Sequence, residues 1–588
     1  MSTHLEVVLM SGRRVQLALA EDARLDSLLQ CAQAELAVRG RFSVLSAAGK
    51  RLNTRLTLGE LGLEDGEVLT LHTRPLRLAA TCGAFAALLG DGSVATWGAN
   101  GGDCSLVQQQ LICVRDIQAS SGAFAAITDT GSVVAWGASK YGGDSSVVQD
   151  RLQNVRHVQA SHRAFAAILD DGSVVTWGDS CHGGDSSAVQ QQLKDVQHIQ
   201  ATHSAFAVIL KDGSVVTWGS DAFGGDSHSV QERLVHVQQI QASEGAFAAI
   251  SHDGSVVTWG AANYGSDSSK VSGQLRNVRQ VQTNGRAFAA ILAYGSVVTW
   301  GDAEHGGDSS SVQDQLQNVE QVQASNSAFA AILSNRSVVT WGACLGNRSS
   351  PNHELLRNVR AIQSTRFAFA AILDDGSVET WGTASYGGDS SQVQAQLKDV
   401  WHIQSNRLAF AAILRDGSVV TWGVSQCGGD SRPVQDQLRN VQEIHATDSA
   451  FAAVLEDGSI VTWGASAQGG KQPRVKRAAF SVLQTIAGTG GEALGQLVAK
   501  SMLPFLDARR SVQNRSFALD VLGHCALSSM ASGAFGERLT TALLGAARWP
   551  EERLSTRAVE ILQSAFQGRL PESASGDSRR ALRQSQST

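Results

Sequence analysis

Three sets of side chains in this 588-residue chain invite a chemical reading. Eight aspartates, Asp103, Asp144, Asp185, Asp226, Asp267, Asp308, Asp389 and Asp430, recur at one point of an internal repeat. A ring of carboxylates is what a hard cation would ask for. However, each is followed by small residues, usually Ser-Ser, and a short Val-Gln-x-Gln-Leu run. An N-cap or an Asx turn accounts for that context locally. One carboxylate per unit also falls short of the oxygen set a cation needs. The histidines, among them His157, His162, His182, His198, His203 and His305, are dispersed without a His-Glu-x-x-His spacing. The cysteines, Cys31, Cys82, Cys104, Cys113, Cys181, Cys344, Cys427 and Cys525, form no Cys-x-x-Cys pair. Free thiols in a reducing compartment fit that spacing best. Gly-Asp-Ser occurs, but Gly-x-Ser-x-Gly, the P-loop and the dinucleotide fingerprint do not. The expectation is a non-enzyme with no cofactor and no metal.

What must position these residues is a repeat. Tryptophans stand at 97, 136, 177, 218, 259, 300, 341, 381, 422 and 463, spaced by 39 to 41 residues, and each is preceded twelve residues earlier by a phenylalanine, from Phe85 to Phe451. A period of this size marks one supersecondary unit that buries its apolar face only by stacking on neighbours. In the third copy, Ala164–Leu169 is an apolar run and Ser173–Trp177 a β-branched and aromatic one. Asp171-Gly172 between them is a hairpin turn. Upstream of the next apolar run, Val196-Gln197-His198-Ile199-Gln200-Ala201 alternates and reads as a further strand. Each unit is therefore expected to be a three-stranded antiparallel meander, with a Gly-rich turn and a short helical or extended return to the next. Radial stacking covers the faces and edges of such sheets.

The formal charge of -6 and scattered Lys and Arg give no nucleic-acid footprint. No charged-then-apolar leader opens the chain, and no apolar run approaches the ~20 residues that span a bilayer. The expected setting is cytoplasmic or nuclear, without nucleic acid or membrane as partner.

Comparison of the ten copies with one another locates the candidate site. The Asp-Gly hairpin and its strands barely change. Two windows vary freely. One separates the first and second strands, as in Ser161-His162-Arg163, Thr202-His203-Ser204 and Thr365-Arg366-Phe367. The other follows Trp-Gly, as in Asp179-Ser180-Cys181-His182 and Thr383-Ala384-Ser385-Tyr386. An up-down-up meander puts both windows on one edge and the Asp-Gly turns on the other. Loops on a rigid sheet are where binding usually resides, while drift of solvated loops is the plainer account of their variability. The leading contacts for a protein partner are Arg163, His182, Phe223, Tyr264, Arg286, His305, Arg366, Tyr386 and Arg407, because Arg and aromatic residues anchor interfaces.

The two ends read differently. Residues 1–73 show a hairpin, a helix with Leu25, Leu28, Leu29, Ala32 and Leu36 on its apolar side, and strands near 42–45 and 67–71. Val7, Val44 and Val68 are either core or an apolar patch. Residues 471–570 carry helical apolar spacing, after a basic junction at Lys471, Arg474, Lys476 and Arg477. The tail 571–588 has the composition of disorder.

Gly-Ser-Val-Val-Thr-Trp-Gly, then a turn with Gly-Gly, then Leu-x-Asn/Asp-Val-x-x-Ile-Gln-Ala resembles the regulator-of-chromosome-condensation repeat, in its short three-stranded variant, over residues 74–470. The family turn Gly-Gln-Leu-Gly is here Gly-Gly-Asp-Ser, and the histidine usual before the second strand is replaced by Ala-Phe. Residues 1–73, with Leu9-Met10-Ser11-Gly12-Arg13, Ala48-Gly49-Lys50-Arg51-Leu52 and Asp65-Gly66-Glu67, resemble the ubiquitin-like β-grasp domain. The fold class implied is mainly β: a propeller-like array of ten repeats, preceded by a β-grasp domain and followed by a small α-helical domain. Family members usually close with seven blades, and residues 343–351 break the pattern after the seventh tryptophan. A ring with three units left over and one wide or spiralling array are both open. The resemblances imply a protein-binding adaptor, with two ubiquitin-related features. The namesake family implies a guanine-nucleotide exchange factor as an alternative, and the short-blade secreted inhibitor implies an enzyme inhibitor.

Overall fold

The computed structural model describes residues 2–9, 14–20, 22–35, 42–46, 52, 56–63, 65–73, 76–90, 92–343 and 356–470. The chain divides into two compact units, Met1–Gln472 and Pro473–Thr588. The expected helical segments, the basic junction, the tail and most of the aberrant crossing after Trp341 lie outside the described residues.

At the N-terminus, β1 (Ser2–Leu9) pairs antiparallel with β2 (Arg14–Ala20) and parallel with β4 (Val68–Thr73). β3 (Phe42–Leu45) adds to β4, giving the order β2-β1-β4-β3. Helix α1 (Leu25–Glu35) buries Leu25, Leu28, Leu29 and Ala32 against Leu5, Val7, Val44, Leu69 and Leu71. Of the three valines open to either role, Val7 and Val44 are fully buried core, and Val68 is exposed. Period-two alternation turns both of them inward.

Residues 77–470 form ten three-stranded antiparallel sheets, each in first-second-third order. The first holds β5 (Arg77–Ala80), β6 (Ala84–Leu88) and β7 (Val94–Gly98). In the third repeat the strands are Val155–Ala160, Ala164–Leu169 and Val174–Gly178. The middle strand is apolar throughout because both its faces are covered. Ala164, Ala166 and Ile168 pack on Val196, Phe206 and Trp218 of the following repeat. Phe165 and Ala167 pack backward on Ala123, Ala125 and Ile127. Burying a phenylalanine contributes about 1.5–3 kcal/mol, and this one recurs ten times.

Phe165 and Trp177 are cross-strand partners whose rings stack at 5.2 Å. The Trp177 Nε1–H then donates to the Gly142 carbonyl of the preceding repeat at 3.0 Å. The same clasp recurs from Trp136 to Gly101, Trp218 to Gly183 and Trp463 to Gly428. Gly183 is needed there: at φ 87°, a Cβ would sit 2.5 Å from the Phe206 ring. Neighbouring repeats are also tied at the hairpin edge, where Val196 N–H donates to Gly172 O at 3.0 Å. Gly172 has φ 79°, the left-handed turn that Asp-Gly supplies. First strands adjoin one another around the array, and Arg156 reaches the Val196 carbonyl of the next one at 2.9 Å.

The blade count is decided by backbone bonds. Just beyond the first strands, Cys82 N–H donates to Ser121 O, Ser121 to His162, His162 to His203, His203 to Glu244 and Glu244 to Gly285. The relay runs on from Asn326 to Arg366, Arg407 and Asp448, and Asp448 N–H donates back to Cys82 O at 3.3 Å. The last first strand, Val441–Ala446, adjoins β5, and Gly469 lies against the Phe85 ring as Gly183 lies against Phe206. All ten repeats therefore close into one propeller-like ring with first strands innermost.

Candidate interaction rim

The residue that opens each first window is Ser, Thr or Asn, and its side chain ties the two variable windows together. Ser161 Oγ accepts from Ala164 N–H at 3.1 Å and donates to His182 O at 2.8 Å. Thr202 donates likewise to Phe223 O, Ser243 to Tyr264 O, Asn284 to His305 O, Thr365 to Tyr386 O and Asn406 to Cys427 O. A short polar side chain satisfies the start of the second strand and pins the loop beyond the third in one move. Both windows thus lie on one rim, and the Asp-Gly hairpins lie on the other.

All nine residues singled out from sequence sit on this rim. Arg163 Nη1 lies 3.8 Å and His182 Nδ1 3.1 Å from Asp179 Oδ2. Three repeats on, Arg286, His305 and Asp302 repeat that arrangement at 3.8 and 3.1 Å. Arg366 lies over the Phe367 ring at 5.6 Å, and Phe367 meets Tyr386 edge-on at 5.1 Å. Arg407 Nε contacts Asp448 Oδ1 at 3.0 Å.

Sequence reasoning overlooked the residues that join these groups. Tyr141 meets His162 edge-on at 5.9 Å, and His162 stacks on His203 at 4.0 Å. His203 approaches Phe223 at 6.5 Å, and Phe223 approaches Tyr264 at 5.8 Å. Five rings from consecutive repeats form one arc. Arg163 covers Tyr141 at one end and Arg286 covers Tyr264 at the other. Tyr141 and Tyr264 lie across Gly122 and Gly245, where a Cβ would fall 2.6 Å from either ring. Tyr141 holds the same repeat position as Phe223, a signal that register alone offers. The stacking of His162 on His203 was not legible.

Burial pushes the His162 imidazole down to about 4, helped by His203 and Arg163 beside it. His203 is also lowered by burial, against the opposing pull of Glu244. Two neutral imidazoles stack without charge repulsion. Among the described residues no cluster of side chains is placed to hold a metal. The repeating aspartates are used locally: Asp185 Oδ1 accepts from Ser187 N–H at 2.9 Å, as Asp144 does from Ser146 and Asp308 from Ser310. Cavities indent the rim. One, of about 390 Å³, is lined by Glu244, Arg286, Glu304, Ser327 and Arg366 among others. The second, of about 430 Å³, lies beside Cys82, Ser121, Arg407 and Asp448. Among the described residues no helix is long and apolar enough to cross a membrane.

No family model and no curated protein matches the chain. Among solved structures, Prp20p of Saccharomyces cerevisiae is similar over 60% of this chain and 83% of its own, at 13% identity and TM-score 0.27. The computationally designed Ika8 protein is similar over 53% and 96%, at 14% identity and TM-score 0.26. Caldiarchaeum subterraneum ubiquitin is similar over 13% and 96%, at 22% identity and TM-score 0.12.

Proposed function

We propose that the protein is a non-enzymatic scaffold that binds a protein partner through the loop-bearing rim of its ring. The observation that supports this reading is convergence: the segments that differ from copy to copy meet on one rim, and there they build a contiguous arc of Tyr141, His162, His203, Phe223 and Tyr264 flanked by arginines. Aromatic and Arg side chains dominate interface energetics. Held on a closed ring, they lose little freedom on binding. The N-terminal β-grasp unit is read as a docking module. With the repeat array it supports reading the protein as a recognition partner in the ubiquitin pathway, of regulator-of-chromosome-condensation type and acting in the cytoplasm or nucleus.

The test uses full-length protein on resin. Wild type is compared with a variant carrying Ser at positions 141, 162, 203, 223 and 264, after thermal melts show that the ring is intact. Proteins recovered from cell extract by the first and lost by the second support the reading. Identical recovery removes it.

A further inference from the structure

The 390 Å³ cavity on the rim gathers side chains from the fifth to the eighth repeats, and their partners are unequal. Its cations are already engaged, by an ion pair or by a ring. Arg286 lies beside Asp302 and over Tyr264, and Arg366 lies over Phe367. Its carboxylates are not: among the described residues neither Glu244 nor Glu304 has an ion-pair partner, and both are exposed. Glu244 leans into the space over Gly285, with Oε1 only 3.0 Å from where a Cβ there would stand. The missing side chain at Gly285 is what admits that carboxylate.

A second observation points the same way. Ser327 is 4% exposed, lines this cavity, and among the described residues its Oγ has no hydrogen-bond partner. Buried hydroxyls are normally satisfied, so one left open beside a cavity marks a place for a guest. Two carboxylates and a hydroxyl together offer acceptors. The matching guest is rich in donors: an ammonium brings three and a guanidinium five, with no acceptor of their own.

We propose that this cavity is the socket for one basic side chain, Lys or Arg, of the protein partner, held by Glu244, Glu304 and Ser327. The assignment rests on the reading of the rim as the binding surface. An acidic guest would meet both carboxylates unpaired. The exposed Arg366 opposes a basic guest, but at an open surface its repulsion is screened by salt.

The experiment pans a library of random linear peptides, displayed on phage, against the full-length protein and three variants: E244Q/E304Q, R366A and the five-Ser rim variant. Peptides selected by wild type carry Lys or Arg at one fixed position, enriched roughly tenfold over the library. That preference disappears on E244Q/E304Q, an isosteric change of exposed groups, and strengthens on R366A. Selection without a fixed basic residue, equal enrichment on E244Q/E304Q, or no enrichment above bare resin overturns the socket. Peptides that depend on the aromatic arc and not on the two glutamates overturn the socket while leaving the scaffold reading standing. Peptides indifferent to both sets of substitutions remove the two together.

Discussion

The Asp448 N–H donates to the Cys82 carbonyl at 3.3 Å, and this bond joins the tenth repeat to the first. The joint is thinner than most of its counterparts. Trp97 is buried, yet among the described residues its Nε1–H has no partner, whereas Trp136, Trp177 and Trp463 each donate to a glycine carbonyl of the preceding repeat.

The ring should therefore open first at this seam. Native-state hydrogen exchange should show the amide of Asp448 opening at lower free energy than those of His162 and His203, which make the same relay bond away from the seam. Equal protection at both places would remove the seam as the weak joint.

Paired tryptophan substitutions test the clasp. Trp177→Phe leaves the Gly142 carbonyl without its indole donor and should cost about 1–3 kcal/mol in urea denaturation, beyond the loss of ring volume. Trp97→Phe removes an unpartnered N–H instead, and should cost clearly less.

Arg336 takes the hairpin position that Gly172 holds in the third repeat, at φ 62°. A side-chain-bearing residue is strained there by about 1 kcal/mol. The Arg336–Asp374 ion pair is exposed and returns little. Arg336→Gly should raise the melting temperature, and a fall would show that the ion pair outweighs the strain.

His162 carries the pH dependence of the rim. Its folded value of about 4 lies below the ordinary 6.5, so between those limits the unfolded chain binds the proton and the folded ring does not. Stability should then be full above pH 6.5 and decline as pH falls toward 4. Because the ring is partly exposed, the loss attributable to it should be about 1 kcal/mol. Denaturation midpoints of wild type and His162→Gln at pH 7 and pH 4.5 read the difference; parallel declines would remove His162 as its source.

Arg163, Phe223 and Arg407 were legible as rim residues because strand alternation and the Asp-Gly turn dictate which end of each meander a loop occupies. Those are local rules, written within some forty residues and repeated ten times. Turn chemistry, the apolar middle strand and the place of each tryptophan follow from them. The rest depends on how much each sheet rotates against its neighbour, a small angle that accumulates around the array. That sum decides whether Asp448 reaches Cys82, and hence ten blades in one ring instead of seven with three to spare. It also decides that His162 meets His203 and that Glu244, Glu304 and Ser327 share a cavity. These are contacts between residues of different repeats, for which no spacing in the chain carries a signal.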